Sequence, residues 1–206
     1  MQCRVIARRS EHGSITLLGD LAQGTAPWAA TDWRESLRHL GKPDASVVPL
    51  TIGFRVPAVV VALANRLLPA LAVDVPPAES LRRDGALDIR TVSDLPAATV
   101  AEVRAALEHD GSVAVIAAEA EADGLRAALA GAGIATSTAD EVEPPARVTV
   151  VPATLAKGLE YDHVIVVEPA RIVAAEPRGL HRLYVVLTRA VSRLAVLHTE
   201  PLPAPL

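Results

Sequence analysis

The sequence has few of the residues that build disulfides and metal sites. Its single cysteine, Cys3, excludes a disulfide framework and a cysteine-based metal centre. Its six histidines are scattered along the chain without the spacing of metal ligands. We therefore expect no metal bound by this sequence alone.

Long apolar runs are also missing. No run reaches the ~18 residues that a membrane-spanning helix needs, and the first residues lack the pattern of a signal peptide. We expect a cytoplasmic protein with no membrane contact.

Two nucleotide-binding motifs are absent as well. No Gly-x-x-x-x-Gly-Lys-Ser/Thr occurs, so the chain has no phosphate-cradling loop of that kind. Gly-x-Gly-x-x-Gly is missing too, and the nearest pattern, Gly131-Ala132-Gly133, follows a predicted helix instead of opening one. This position argues against a dinucleotide-binding oxidoreductase.

Aromatic residues make up only 2% of the chain, and the formal net charge is −4. A protein that holds nucleic acid mainly by charge needs clustered Lys and Arg. The composition therefore argues against nucleic-acid binding of this kind, but it does not exclude a local basic path.

Half of the 206 residues are hydrophobic, which is enough to form the core of one large domain. Short β-branched runs alternate with helical patterns, and this order is typical of a mostly parallel sheet with helices on both faces. We predict strands at residues 14–18, 46–50, 87–92, 113–117, 134–136, 148–151 and 164–167, and helices at 2–9, 31–40, 57–71, 95–109, 119–130 and 182–190.

The segments between these elements contain residues typical of helix ends, linkers and loops. Residues 11–13 should end the first helix, and Ser93 or Asp94 should cap the helix that starts at residue 95. The Pro-containing stretch 74–85 is the best linker candidate, and 140–145 forms an acidic loop with two prolines.

The stretch 148–167 indicates a strand, a tight loop and a second strand. The loop carries Lys157, Gly158 and Glu160. Open α/β sheets bind ligands at the carboxyl ends of their strands, so we expect these side chains at that edge. Arg189 follows on an apolar helix, where the alternative to a functional role is simple pairing with a carboxylate.

Four stretches resemble, in the same order, motifs three to six of superfamily 1 helicases of the UvrD/Rep group, and they span nearly the whole chain. They are Gly-Asp-Leu-Ala-Gln at 19–23 with Trp28 beyond it, Gly-Phe-Arg-Val-Pro at 53–57, Ala-Lys-Gly-Leu-Glu-Tyr at 156–161, and Tyr-Val-Val-Leu-Thr-Arg-Ala at 184–190.

The resemblance implies roles for these residues. Gln23 would sense the γ-phosphate of ATP, and Arg55 and Arg189 would reach it across a cleft between two RecA-like domains. Glu160 would bind the ribose, and Gly158 would let the loop backbone come close. Guanidinium groups suit this task because their donors match phosphate oxygens.

Two further residues have open roles under the resemblance. Lys157 would contact either a nucleotide or nucleic-acid phosphate, or only solvent. Trp28 would stack on a base, although a core or interface tryptophan is the plainer interpretation.

The same resemblance implies a RecA-like division of the chain. Residues 1–50 would be the end of a first RecA-like domain, 51–200 a second one, and 201–206 a proline-rich tail. The family's phosphate loop and magnesium-binding Asp-Glu pair lie upstream of motif three. We therefore expect the ATP and magnesium site to be complete only with that N-terminal domain, and the chain alone not to hydrolyse ATP.

Some family positions differ here. Family residues that contact single-stranded DNA are replaced by Ala26, Pro152 and Thr154. This pattern resembles HelD-type ATPases, which bind RNA polymerase, so the expected partner is RNA polymerase or single-stranded DNA. A UvrD/Rep-type repair helicase and a truncated, non-catalytic interaction module stay open as alternatives.

Overall fold

A computed structural model describes residues 2–10, 12–139, 141 and 146–206. The predicted helix stop at Glu11 and most of the predicted acidic loop lie outside these residues. In chain order the elements are α1 (Gln2–Arg9), α2 (Trp33–His39), β1 (Ile52–Gly53), α3 (Ala58–Asn65), α4 (Leu68–Leu71), β2 (Glu79–Ser80), β3 (Ala86–Thr91), α5 (Leu95–Leu107), β4 (Val113–Ala117), α6 (Glu119–Gly131), β5 (Thr136–Thr138), β6 (Val148–Pro152), a 3₁₀ turn (Ala153–Leu155), β7 (Tyr161–Val167), α7 (Pro169–Ala174), α8 (Gly179–Leu187) and β8 (Ala190–His198).

Six strands form one parallel sheet in the order β3-β8-β7-β4-β6-β5. The central strand β4 is buried along its whole length, with Val115 paired to Val150 on one side and Ile165 on the other. Strands buried on both faces are expected to be apolar runs without polar alternation. This sheet confirms the predicted mostly parallel α/β fold.

Helices cover both faces of the sheet. The side chains of α5 and α6 pack on one face, around Val103 and Leu129. The side chains of α3, α4, α7 and α8 pack on the other, around Leu67 and Leu183. A separate pair of two-residue strands, β1 and β2, lies beside the main sheet with Ile52 opposite Glu79.

Most predicted boundaries agree with the structure. The strand 113–117 is confirmed as β4, and Asp94 caps α5 by accepting a hydrogen bond from the backbone N–H of Ala97 at 3.0 Å. The strand predicted at 134–136 lies two residues further along, as β5.

Three predictions about regular structure are wrong. Residues 14–18 and 46–50 form no strand, since they form no ladder with any described strand. The helix predicted at 57–71 is split into α3 and α4. Pro69 explains the split, since it has no N–H to bond the carbonyl of Asn65.

The last predicted helix also ends earlier than expected. It spans Gly179–Leu187, and Thr188 caps it with a hydroxyl that donates to the carbonyls of Tyr184 and Val185 at 3.0 and 2.9 Å. The chain then enters β8, a nine-residue strand that the sequence pattern did not predict. Arg189 therefore lies between α8 and β8, and its predicted position on the helix is wrong.

Within the described residues, no helix combines the length and the hydropathy that a membrane crossing requires.

Candidate functional site

The predicted site residues lie at the amino ends of β7 and β8. Glu160 directly precedes β7 and Arg189 directly precedes β8, and the N–H of Tyr161 donates to the carbonyl of Arg189 at 3.1 Å. The segment 153–160 starts at the carboxyl end of β6 and crosses to the amino end of the parallel strand β7. The expectation that Glu160 lies at the carboxyl edge is therefore wrong.

A cleft of about 680 Å³ opens at this edge, and we call it the arginine cleft. Its charged lining consists of three arginines, Arg55, Arg82 and Arg189, against one glutamate, Glu79. Backbone and side chains of Gln23, Ile52, Gly53, Phe54, Val56, Val61, Ala64, Asn65, Ala78, Tyr184 and Thr188 complete it. The excess of guanidinium groups suits an anionic ligand.

Arg189 is the most deeply placed of the three arginines, with 6% of its surface exposed. Its guanidinium donates to the carbonyls of Val185 and Leu159 at 3.0 and 3.1 Å and to the Thr188 hydroxyl at 3.2 Å. None of the described carboxylates forms an ion pair with it. Burial lowers the pKa of Arg189, while the nearby charge of Glu160 acts in the opposite direction.

Arg55 lies nearer the solvent, where its Nη1 pairs with Oε1 of Glu160. The two side chains are 62% and 39% exposed, so we expect the pair itself to add little stability. Under the resemblance, Arg55 would bind the γ-phosphate and Glu160 the ribose. In the structure the two side chains instead pair with each other. A ligand anion that binds Arg55 must therefore compete with the carboxylate of Glu160.

Gln23 lines the same cleft, and its neighbours fix its position. Its side-chain amide donates to Oδ2 of Asp20 at 2.9 Å, and its backbone carbonyl accepts from Nζ of Lys157 at 2.9 Å. Arg178 holds the same segment by donating to the carbonyl of Ala29 at 2.9 Å. Lys157 therefore joins the segment around Gln23 to the loop before β7.

The remaining predicted residues lie outside the lining of the cleft. Gly158 has a φ of +87°, which a residue with a side chain rarely adopts, so the loop needs glycine there for its backbone conformation. Trp28 is 86% exposed and is not among the lining residues. The structure thus brings Arg55, Arg189 and Gln23 together, with Glu160 on Arg55, and leaves Trp28 apart.

Two lining residues were missed as site residues. Arg82 falls in the stretch predicted as a linker, and no spacing rule marks it. Tyr184 belongs to the sixth motif, but the sequence favoured a packing role; it is 8% exposed at the cleft wall. Only the folded chain shows that both reach the same cleft.

Comparison with known proteins gives the fold. No family model matches the sequence, and no curated protein matches it. Among solved structures, the C-terminal domain of a possible DNA helicase from Lactobacillus plantarum WCFS1 is similar, with a TM-score of 0.55 and 22% identity over 74% of this chain and 91% of that one. The helicase nonstructural protein 10 of an arterivirus, solved with DNA, aligns over 55% of this chain and 28% of its own, at 20% identity and a TM-score of 0.40.

The first of these similarities shows that the chain has a fold like that of a helicase C-terminal domain. It agrees with the six-stranded parallel sheet described above.

We predict that replacing Tyr184 by Phe removes a pH dependence of stability above pH 10. Burial raises the pKa of Tyr184 to about 12 from an ordinary value of 10.0, and the charge of Asp20 acts in the same direction. The unfolded chain releases this proton at lower pH than the folded chain does. The free energy of unfolding should therefore fall as the pH rises from 10 towards 12.

Urea unfolding across this pH range, with phenolate absorbance to follow ionisation, measures the effect. The pKa of Tyr161 is also raised by burial, so Tyr161→Phe serves as the control that retains the step due to Tyr184. An unchanged pH dependence in Tyr184→Phe would contradict the assignment.

Proposed function

We propose that this chain is the second motor domain of a superfamily 1 helicase-like ATPase and supplies the arginines of an ATP site that another domain completes. The observation that carries the proposal is Arg189. It is a buried cation without an ion-pair partner among the described residues, and it faces a cleft with two further arginines. A buried charge in this state is favourable only when an anion compensates it.

The arrangement suits a terminal phosphate. Phosphoryl transfer spreads negative charge over the equatorial oxygens, and positioned guanidinium groups stabilise that charge. Arg189 is held in place by backbone carbonyls, whereas Arg55 is more exposed and can move from Glu160 to a phosphate. Once released, the carboxylate of Glu160 becomes available to accept a hydrogen bond from a ribose hydroxyl.

In this proposal the opposite domain holds the magnesium ion and the phosphate loop, because the sequence contains no such loop motif and no Asp-Glu pair on a strand end before Ser14. This chain contributes the positive charge, and it does so only when the two domains close. Gln23 would meet the same phosphate from the segment that Lys157 holds. Hydrolysis would thereby depend on domain closure.

For the partner we favour RNA polymerase, as in HelD-type proteins, over single-stranded DNA. Thr154 stands at a position where the related helicases contact the strand, and its hydroxyl donates to Glu119 at 2.8 Å. Two of the arginines nearby are paired with carboxylates, Arg182 with Glu176 and Arg171 with Glu121. An edge with this excess of carboxylates would repel a phosphate backbone.

We predict that the 206-residue chain binds inorganic tripolyphosphate weakly at low ionic strength through Arg55 and Arg189. Arg189→Gln and Arg55→Gln should each reduce the affinity about tenfold, the value of one charge-assisted contact. Glu160→Gln should raise it, because the competing carboxylate is gone. Isothermal titration calorimetry measures all three effects.

Arg104→Gln is the matched control, since Arg104 is an exposed arginine of α5 on the opposite face of the sheet. Circular dichroism of each variant shows that it is folded. Equal affinity of wild type and Arg189→Gln would rule out the phosphate role. Absence of any binding would favour the non-catalytic module.

The partner is tested on the natural protein that contains this sequence, purified from its source cells. We predict that core RNA polymerase copurifies after nuclease treatment and that single-stranded DNA does not stimulate ATP hydrolysis. Stimulation by DNA without bound polymerase would support the repair helicase instead. Substituting Thr154 by His, the residue of related helicases, should then increase any DNA effect.

A further inference from the structure

Arg82 lies on the connection between β2 and β3, and its side chain joins two separate parts of the arginine cleft. Its Nη1 donates to the carbonyl of Arg55 at 3.1 Å and to the carbonyl of Val191 at 2.6 Å. Val191 is the second residue of β8 and follows Arg189 by two positions. One guanidinium nitrogen of Arg82 therefore connects the backbone of Arg55 to the backbone two residues after Arg189.

The rest of the guanidinium is held as well. Nε and Nη2 donate to the two carboxylate oxygens of Asp84 at 3.2 and 3.3 Å, and Nη2 also approaches the Ser192 hydroxyl at 3.4 Å. The hydrogen bond from Arg82 lowers the pKa of Asp84. With 25% of its side chain exposed, Arg82 has its planar group fixed in one orientation.

Close packing fixes the same connection independently. A Cβ at Gly85 would overlap the ring of Pro57 and lie 3.2 Å from the carbonyl oxygen of Ser192, so only glycine lets the chain pass between them. The carbonyl of Arg82 accepts from the N–H of Ala58 at 2.8 Å. The connection thus contacts both the segment after Arg55 and the start of β8.

We infer that Arg82 is a positioning residue, which holds the backbone of Arg55 against β8 and so sets the separation between Arg55 and Arg189. No helicase-like motif includes it. Its effect on phosphate binding rests on the proposed function, whereas its effect on the position of Arg55 does not. A lysine keeps the charge but cannot reproduce the planar fork, so it cannot span the carbonyls and Asp84 together.

The test uses the full chain with Arg82→Gln and Arg82→Lys. Arg83→Gln is the matched control. It removes the same charge from the neighbouring position, where the exposed side chain of Arg83 forms no hydrogen bond with described residues. The ligand-free readout is the side-chain Nε–H signal of Arg55 by NMR. In the wild type and in Arg83→Gln, a second change of Glu160→Gln should shift this signal, since Glu160 pairs with Arg55.

We expect both Arg82 variants to lose that dependence on Glu160 and to bind tripolyphosphate about tenfold more weakly than Arg83→Gln. A wild-type response in Arg82→Lys would show that charge alone suffices and would overturn the inference. A retained Glu160 shift in Arg82→Gln would overturn it too.

The role of Arg82 can be decided even if phosphate binding or folding fails. If the wild type does not bind tripolyphosphate, the proposed function fails, but the Arg55 signal still decides the role of Arg82. If Arg82→Gln does not fold, Asp84→Asn loosens the guanidinium more mildly and should reduce the Glu160 shift. An unchanged shift in Asp84→Asn would then count against positioning.

Discussion

The site depends on the burial of one guanidinium. Arg189 is placed between α8 and β8, where it can bond only to main-chain carbonyls and a hydroxyl. Such acceptors satisfy the N–H donors, but they do not neutralise the charge. The carboxylate of Glu160, whose charge acts on Arg189, is paired with Arg55 instead. The fold thus keeps a positive group facing a cleft, which is useful only if an anion arrives there.

The parallel sheet explains why the cleft lies where it does. The chain must return from the carboxyl end of β6 to the amino end of β7, and from α8 to the amino end of β8. Both returns place predicted site residues, Glu160 and Arg189, at the amino edge. In a two-domain motor, that edge would face the nucleotide of the preceding domain. The carboxyl edge of the sheet, where Glu119 and Glu121 lie, would then be left for a different partner.

Much of the fold could be predicted from local patterns. The apolar run 113–117 and the Asp94 cap are strong signals, because a buried strand and a helix start each need particular residues at particular positions. Predicting β8 was harder. Its strand character depends on neighbours β3 and β7, which lie far away in sequence.

The site was only partly predictable for a similar reason. The helicase-like motifs identified Arg55, Arg189 and Gln23, and the structure brings them together. They could not show that Arg55 pairs with Glu160, that Lys157 bonds to the Gln23 carbonyl, or that Arg82 bridges the cleft. These contacts join residues far apart in the chain, so no spacing in the sequence records them.

We propose that this cleft is one half of a nucleotide site and that another domain supplies the rest. Mass spectrometry of the native polypeptide, isolated from its source cells, tests this most directly. We predict a product several times heavier than 21.6 kDa, with peptides upstream of Met1 that contain a Gly-x-x-x-x-Gly-Lys-Ser/Thr loop. A native product of 21.6 kDa would contradict the claim, because the arginines would then have no phosphate loop to face in the same molecule.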